Sequence, residues 1–316
     1  MEFNSFTFLF LILPLLLAAF FLIPNRGRSA YLIAISLFLF YWSEGRYALL
    51  LPFLILILFL AGRFPHPAKG GTGSKAYFAL AMTLLIFLFV YFKYGNFLAA
   101  NFNHIRGMFS APPVRFKSVH LPLGISFFLF SAISCLVDIR RRTEAEERPS
   151  LRAIALYISL FPKLLTGPII TFRQFTQLDK EWGVTARRIL FGIRRFILGL
   201  GKKVLIADIL ARTANEIFSL PVEQLDFSLS WIGLIAFTLQ IYFDFSGYSD
   251  MAIGLGAVCG FDFPENFRYP YASRSIKEFW SRWHITLSQW LRDYVFLPLA
   301  YRILDRLHKE RYLAMR

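Results

Sequence analysis

The sequence predicts an all-α polytopic membrane protein. Of its 316 residues, 56% are hydrophobic and 18% are aromatic, and the mean hydropathy is +0.51. Only 17% of the residues are charged, which is less than a soluble domain of this length carries. The hydrophobic residues are concentrated in apolar runs, which are typical of helices that cross a bilayer.

The distribution of charge indicates membrane topology and not binding to nucleic acid. The formal net charge is +15, but the arginines and lysines lie in short clusters between apolar runs, as in loops that set orientation. The first apolar run has about 20 residues and no basic segment before it, so it does not resemble a cleavable signal. Because Arg26 and Arg28 follow this run, we predict that the N-terminus lies outside.

Eight apolar runs are candidates for the membrane helices. Several are shorter than the roughly 20 residues that a spanning helix needs, so we expect some to be tilted, broken or only partly inserted. The loops after the first, third and fifth runs are the more basic ones, which agrees with an outer N-terminus, whereas the basic 93–119 loop weakens that prediction. The runs lie near 5–23, 30–42, 47–61, 76–92, 121–137, 151–166, 189–207 and 229–258.

The end of the sixth run contains residues that break helices. The stretch LFPKLLTGPIITFRQF (160–175) has Pro162 and then Gly167-Pro168, which a regular helix does not accommodate. Non-helical backbone at membrane depth is tolerated only where protein buries it or where it lines a wet cavity. Two interpretations remain open: a re-entrant segment beside a cavity, or a helix end followed by a surface turn.

An acidic residue lies inside the eighth run. Asp244 shares one helical face with Gln240 and Tyr248, because these residues are four apart. Ionisable residues at membrane depth usually face a bundle interior or a water path, so the three residues are candidates for the wall of a tunnel. The alternative is an acid near the interface at a helix end. Gly247 either loosens this helix or lets another backbone approach it.

Residues 276–294 predict an amphipathic helix at the membrane interface or packed on the bundle, because their apolar side chains recur with helical period. His284 lies at the edge of the apolar face. Partial desolvation there favours a neutral ring near pH 7, which can accept a proton from a hydroxyl. The pattern alone leaves two interpretations: an interfacial anchor with a hydrogen-bonded histidine, or part of an active site.

Other signatures of enzyme chemistry are missing from the sequence. The stretch GLGKKV (199–204) lacks the leading glycine and the hydroxyl residue of a nucleotide-binding phosphate loop. The five histidines have no metal-ligand spacing, and Cys135 and Cys259 lie singly in apolar runs, as small buried hydrophobic residues do. We therefore expect neither a metal site nor a bound cofactor.

Four long segments resemble one known family. They are LPLGISFFLFSAISCLVDIRR (121–141), YISLFPKLLTGPIITFRQF (157–175), GLGKKVLIADILA (199–211) and the stretch from 242 to 299 that includes FWSRWHITLSQWLRDY. They are similar to the membrane-bound O-acyltransferases, and most closely to the bacterial branch typified by alginate O-acetyltransferase. The first 120 residues are similar to that branch mainly in being hydrophobic.

The resemblance implies a single membrane domain over 1–316, with re-entrant and amphipathic helices around a tunnel. It also implies two functional histidines. One belongs to a Trp-His motif that reads Trp283-His284 here, and the other lies downstream in a Trp-His-Gly setting that these 316 residues do not contain. We therefore expect a chain that is incomplete at its C-terminus, with a truncated and inactive relative as the alternative.

The resemblance implies His284 as a catalytic residue. The candidates for lining or bracing the tunnel are Gln240, Asp244, Tyr248, Trp280, Arg282, Trp283 and Asp293.

The leading hypothesis is an O-acetyltransferase of the bacterial inner membrane that modifies an exported polysaccharide, as in alginate biosynthesis. Its expected acyl donor is cytoplasmic acetyl-CoA or a carrier-linked thioester, and D-alanyl transfer to a wall polymer is a neighbouring possibility. The expected partners are the bilayer, the polysaccharide and periplasmic or membrane proteins of a modification complex. The alternatives are a transporter or flippase for a lipid or polysaccharide and a non-catalytic scaffold.

Overall fold

The computed structural model describes residues 3–64, 72–142, 147–180, 182–301 and 303–304. In these ranges the chain forms helices, turns and extended connections, and no β-strand. The all-α prediction is therefore confirmed. The chain divides into two compact units, a first unit of residues 1–165 with 172–179 and a second unit of residues 166–171 with 180–316.

The first unit begins with a π-helical turn (Phe8–Ile12), and a 3₁₀ turn (Gly45–Leu49) joins two of its longer helices. Its α-helices are Leu13–Leu22 (α1), Asn25–Glu44 (α2), Leu50–Arg63 (α3), Thr72–Met108 (α4), Ile125–Arg141 (α5), Leu151–Ser159 (α6), Phe161–Leu164 (α7) and Phe172–Lys180 (α8).

Local sequence sets several of these helix ends. Gly45 adopts a φ of 56° after α2, which breaks the helical path before α3. Gly124 precedes α5 with a φ of 70°, and a Cβ there would lie 2.5 Å from the carbonyl oxygen of Leu164. The Ser150 Oγ accepts a hydrogen bond from the Ala153 backbone N–H at 3.1 Å and caps α6.

The residues that interrupt the sixth apolar run are buried in the first unit. Leu160 to Leu164 are all buried, and they include Lys163, which is only 4% exposed. The Lys163 Nζ lies 3.4 Å from the Ser131 Oγ and 4.3 Å from the centre of the Tyr157 ring. Burial lowers the pKa of Lys163 to about 7. This part of the break is therefore inside the protein and does not form a surface turn.

The described part of the second unit contains two π-helical segments, Lys202–Ala207 and Arg292–Phe296, and two 3₁₀ turns, Val222–Gln224 and Pro270–Ala272. Its α-helices are Ala186–Gly201 (α9), Asp208–Phe218 (α10), Phe227–Val258 (α11), Ile276–Arg282 (α12) and Ile285–Leu291 (α13). The long helix α11 begins where Asp226 Oδ1 accepts a hydrogen bond from the Leu229 backbone N–H at 2.7 Å.

Helices α9 and α11 pack with their backbones in close contact at two pairs of glycines. A Cβ added to Gly199 would lie 2.5 Å from the Gly247 carbonyl oxygen, and a Cβ added to Gly192 would lie 2.5 Å from the Gly254 carbonyl oxygen. The two glycines of each helix are seven residues apart, so they recur on one face. Small residues of this kind let helix backbones approach closely in membrane proteins. The alternative in which Gly247 admits another backbone is thus confirmed.

Ion pairs reinforce the same contact. Asp250 of α11 is 6% exposed, and its two carboxylate oxygens accept hydrogen bonds from Arg195 Nε at 2.9 Å and Lys202 Nζ at 2.7 Å. A buried carboxylate is stable only when it is paired, so α9 and α11 are held together by charge as well as by shape. Arg195 lies in α9, and Lys202, seven residues later, is the first residue of the π-helical segment that continues it.

Among the described residues, three segments are long and apolar enough to cross a membrane: Asn25–Arg63, which comprises α2 and α3, then Gly73–Met108 and Phe227–Val258. Only 39%, 11% and 11% of their most apolar windows are buried within the protein, so most of these apolar side chains face outwards. Outward apolar side chains are what lipid contact requires. The prediction of a membrane protein agrees with these helices, and the shorter runs form helices such as α6 and α7 that are too short to span.

We predict opposite effects for alanine at two glycines of α9. Gly199→Ala would place its methyl group 2.5 Å from the Gly247 carbonyl oxygen and force α9 and α11 apart, at a cost of about 1–3 kcal/mol in the free energy of unfolding. Gly201→Ala meets nothing within 4 Å and should gain up to about 1 kcal/mol from helix propensity. Melting temperatures of the two purified variants in one detergent provide the test, and equal shifts would contradict the close contact.

Candidate active site around His284

His284 lies at a break between two helices. α12 ends at Arg282 and α13 begins at Ile285, and His284 adopts the left-handed conformation (φ 42°, ψ 54°). The prediction of one continuous helix over 276–294 is therefore wrong. The physical reason is a competing partner for the backbone: the Ile285 N–H donates to the Asn266 carbonyl oxygen at 3.0 Å, and the Arg268 N–H donates to the Arg282 carbonyl oxygen at 2.9 Å.

Asn266 is the centre of a buried hydrogen-bond network around the histidine. It is 0% exposed, and its Oδ1 accepts from Thr286 Oγ1 at 2.9 Å and from the Thr286 backbone N–H at 3.3 Å. Because a backbone N–H can only donate, the Asn266 atom that faces it must be the oxygen. The Asn266 Nδ2 donates to Ser249 Oγ on α11 at 3.0 Å. The oxygen and the nitrogen of the Asn266 side chain thus both form hydrogen bonds.

This network determines which nitrogen of His284 carries the proton. His284 Nδ1 lies 3.0 Å from Asn266 Oδ1, which is an acceptor, so Nδ1 donates. In a neutral imidazole the lone pair is then on Nε2. If Nε2 takes up a proton, the Asn266 oxygen stabilises the resulting cation through the same hydrogen bond. The geometry therefore suits a ring that accepts a proton at Nε2.

Aromatic rings surround His284 and exclude water from it. The Phe245 ring meets it edge-on at 4.7 Å between centroids, and the Phe267 ring is stacked at 6.4 Å. His284 is 9% exposed, and this burial lowers its pKa to about 4. The ring is consequently neutral at pH 7, as the sequence analysis predicted, although it lies inside the protein and not at the edge of a helix face.

The second half of the helix-breaking stretch 160–175 is hydrogen-bonded to the same network. Residues 166–171 are not helical, and Gly167 to Ile170 are buried. The Ile169 backbone N–H donates to Thr286 Oγ1 at 2.9 Å, so this segment reaches Asn266 through one side chain. The interpretation as a surface turn is wrong, because buried backbone of this kind requires such partners.

Asp244 is engaged away from the histidine. Its carboxylate pairs with Lys203 Nζ at 2.7 Å, and the same lysine pairs with Asp208 at 2.8 Å. The Asp244 side chain is 42% exposed, whereas the enclosed acid of α11 is Asp250. The two other members of the expected polar wall, Gln240 and Tyr248, are half-buried, and the Tyr248 hydroxyl oxygen is buried. The residue of this region that reaches His284 is Phe245.

Of the remaining candidates, Trp283 is the one closest to the network. Its ring packs against Phe267 at 5.2 Å and Phe279 at 5.6 Å. Arg282 pairs with Glu278 at 2.6 Å across one helical turn.

The other two candidates lie outside this cluster. Trp280 is 55% exposed. Asp293 accepts a hydrogen bond from its neighbour Arg292 at 2.8 Å. The structure therefore brings Trp283 and His284 together and leaves Trp280, Arg282 and Asp293 in surface or local contacts.

Sequence reasoning missed the residues that orient the histidine, namely Ser249, Asn266 and Thr286. Asn266 was the detectable one, because it is a lone amide in an aromatic stretch (FPENFRYPY, 263–271). Among the described residues, no group of three or more histidine, cysteine or acidic side chains is arranged to hold a metal ion.

Comparisons with known proteins agree with the resemblance in the sequence. A model of the membrane-bound O-acyltransferase family (MBOAT) matches residues 35–315. The chain is 38% identical over 301 residues to a probable alginate O-acetylase of Azotobacter vinelandii, which covers 95% of this chain and 60% of the relative.

Two further relatives carry other names. The chain is 32% identical over 333 residues to a peptidoglycan O-acetyltransferase of Helicobacter pylori, with 94% of this chain and 62% of the relative covered. It is 32% identical over 183 residues to a teichoic acid D-alanyltransferase of Bacillus subtilis, with 57% of this chain and 46% of that relative covered. The chain thus spans less than two thirds of each relative.

The family model covers most of the chain and includes every residue of the His284 network. The all-α architecture and the span-length helices agree with a membrane family. This chain therefore belongs to the membrane-bound O-acyltransferase family.

Proposed function

We propose that the complete protein transfers an acetyl group from a cytoplasmic thioester to hydroxyl groups of an exported polysaccharide, and that His284 accepts the proton of the hydroxyl. The observation that carries this proposal is the hydrogen bond from His284 Nδ1 to Asn266, which leaves the lone pair on Nε2. The names of the relatives favour acetyl transfer to a cell-surface polymer, because the relatives matched over 94% and 95% of this chain are named for acetylation.

The reaction balances without an oxidant or reductant. The oxygen of the acceptor hydroxyl attacks the thioester carbonyl carbon, and its proton passes to His284 Nε2. The C–S bond then breaks, and the leaving thiolate takes up a proton to give the free thiol. The donor is acetyl-CoA or a carrier-linked thioester, and neither is a resident cofactor of the protein.

The low proton affinity of His284 shapes its role. A ring with a pKa of about 4 is a weak base, so it receives the proton only as the attack on the carbonyl develops. Asn266 then stabilises the imidazolium, and the Phe245 and Phe267 rings keep it apart from water. His284 is one of the family's two functional histidines, and it is the one that takes up the hydroxyl proton here. Gln240, Asp244, Tyr248, Trp280, Arg282 and Asp293 line or brace the path of the substrate.

The proposed orientation puts the N-terminus outside the inner membrane. Contacts between helix ends support it, because Arg140 stacks on Phe78 of α4 at 4.8 Å and Arg142 reaches the Phe64 carbonyl oxygen at 3.5 Å. The C-terminal ends of α3 and α5, which carry Arg63 and Arg140 to Arg142, are thus at the same end of the first unit, and clustered basic residues favour the cytoplasmic side. The polysaccharide and periplasmic or membrane partner proteins are then expected at the opposite end.

A transporter or flippase and a non-catalytic scaffold are the alternatives. Purified complete protein, given labelled acetyl thioester and polysaccharide, separates them, because only the transferase releases thiol together with acetylated polymer. Movement of polymer without release of thiol would favour the transporter. Binding of donor without turnover would favour the scaffold.

We predict that His284→Asn strongly slows transfer and preserves the fold. Asparagine tolerates the left-handed backbone of His284, and its amide can donate to Asn266, but it has no basic nitrogen. The rate should fall about 10²–10⁴-fold. Acetyl transfer is measured at equal protein level, and the melting temperature checks the fold. His284→Ala is the harsher comparison, because alanine is strained at this φ and loses the hydrogen bond. A His284→Asn protein as active as wild type would refute the role of the ring.

We predict that kcat/KM for the acceptor falls only as the pH approaches about 4. The ring is a base whose pKa is lowered, so it stays neutral, and able to accept a proton, down to that pH. Asn266→Asp places a negative charge beside Nδ1, which favours the protonated ring and should move the acid limb upwards by about 1–3 pH units. An acid limb near the unperturbed histidine pKa, about 6.5, in both proteins would contradict a buried neutral His284.

A further inference from the structure

A lysine side chain lies inside the first unit with few polar partners. Lys163 belongs to the four-residue helix α7 and is 4% exposed. Within the described part of the chain, the hydrogen-bond partner of its Nζ is the Ser131 Oγ at 3.4 Å. A protonated amine has three N–H donors, so two of them have no acceptor there. A buried charge that lacks partners destabilises the conformation that buries it.

The surroundings of the amine are hydroxyl and aromatic groups. The centre of the Tyr157 ring on α6 is 4.3 Å from Nζ, and its attraction for a cation offsets only part of the cost of removing that cation from water. The Tyr157 hydroxyl bonds to the Ser131 carbonyl oxygen at 3.2 Å and to Ser134 Oγ at 2.9 Å. The Ser134 hydroxyl donates to the same carbonyl oxygen at 2.9 Å. These hydroxyls therefore satisfy one another and leave the amine to the Ser131 Oγ.

The titratable groups of α5 near the amine are Cys135 and Asp138. Cys135 is 0% exposed and lies close enough to interact electrostatically with Lys163. Asp138 is one turn further along α5, and its Oδ2 accepts a hydrogen bond from the Arg173 backbone N–H at 3.0 Å. Among the residues that the structure describes, no carboxylate forms an ion pair with Lys163. A proton on the amine is therefore not balanced by a neighbouring negative charge.

The proton on Lys163 is consequently linked to the burial of the side chain. Burial lowers the pKa of this amine to about 7 from its ordinary value of 10.5. A conformation that exposes the amine to water binds the proton more tightly than the buried conformation does. The buried conformation thus carries the full cost of the ammonium below about pH 7, and it gains stability as the pH rises from there towards 10.5.

The helix that carries Lys163 is the element most easily released by such a charge. α7 is a single turn with Pro162 near its start, and a helix this short is stable only through its packing. The Phe161 backbone N–H donates to Ser36 Oγ on α2 at 3.0 Å. The Leu164 carbonyl oxygen lies where a Cβ on Gly124 would come within 2.5 Å of it. Elements held by a few contacts of this kind open locally without unfolding of the rest.

We propose that α7 is a pH-dependent latch, which stays closed on α5 and α6 while the Lys163 amine is neutral and opens when the amine takes up a proton. Ser131 and Cys135 lie four residues apart on the face of α5 that the latch covers, so opening lets water reach both. The latch goes beyond the proposed function, because neither its closed nor its open state involves an acyl donor or acceptor.

Cys135 is a built-in probe of this opening, and Cys259 is its control. Both thiols are 0% exposed, but Cys135 lies beside Lys163, whereas Cys259 belongs to the second unit. Complete protein in phosphatidylcholine nanodiscs is treated with N-ethylmaleimide at several pH values between about 6 and 9, and the labelling of each thiol is followed by peptide mass spectrometry. Each rate is divided by that of the same thiol in denatured protein at the same pH, because the thiolate is the reactive form. The quotient gives the open fraction.

We expect the open fraction at Cys135 in wild type to be largest below about pH 7 and to fall by about tenfold per pH unit above it. Lys163→Met keeps a side chain of similar length without the amine, so its open fraction should be smaller at low pH and independent of pH. Lys163→Gln, which is also uncharged and can still bond to Ser131, should behave in the same way. Lys75→Met changes an exposed lysine and should keep the wild-type dependence. Melting temperatures check that each variant is folded.

Four results would overturn the proposal. They are a pH dependence at Cys135 that is equal in wild type and Lys163→Met, an open fraction in wild type that does not change with pH, a loss of the dependence in Lys75→Met, and a Lys163-dependent change of equal size at Cys259. The last result would mean that the whole protein opens and not α7. The measurement uses no acetyl transfer, so failure of the proposed function leaves its outcome unchanged.

Discussion

The site in the second unit depends on the close contact between α9 and α11. The glycine pairs bring the two backbones together, and this approach allows Arg195 to reach Asp250 on α11. The same guanidinium also bonds to Glu265, the residue before Asn266. Asn266 in turn orients His284 and accepts from Thr286. The position of the imidazole is therefore set by a series of contacts that begins at the glycine pairs between α9 and α11.

Much of the fold followed from composition and periodicity, because apolar runs and basic loops are local properties of the sequence. The break after Pro162 and the close approach at Gly247 were also visible, since proline and glycine have few conformational options. The interruption at His284 was not visible. Its cause is a pair of backbone hydrogen bonds, one between Ile285 and Asn266 and one between Arg268 and Arg282, and helical periodicity carries no information about such distant partners. For the same reason the sequence pattern pointed to Asp244 as the acid of a tunnel wall, although the buried acid of α11 is Asp250.

Burial gives the candidate site both its protonation state and its rigidity. A polar group in an apolar environment is stable only when its hydrogen bonds are satisfied, and Asn266 satisfies those of Thr286 and His284 with a single oxygen. The rings of Phe245 and Phe267 then contribute to the burial that keeps the imidazole neutral. Removing water in this way lowers basicity at rest but strengthens every electrostatic interaction that forms during transfer.

The π-helical segment Lys202–Ala207 joins α9 and α10 into one continuous helix. The two helices pack on α11 through different faces. A π turn holds one residue more than an α turn, so the face that α9 presents to α11 is rotated once the segment begins. Lys202 and Lys203 are adjacent in sequence, yet they pair with Asp250 and Asp244, which are six residues apart on α11. The extra residue of the π turn thus rotates the side chains that follow it about the helix axis. It ends the glycine contact and lets α10 pack on α11 through a different set of side chains.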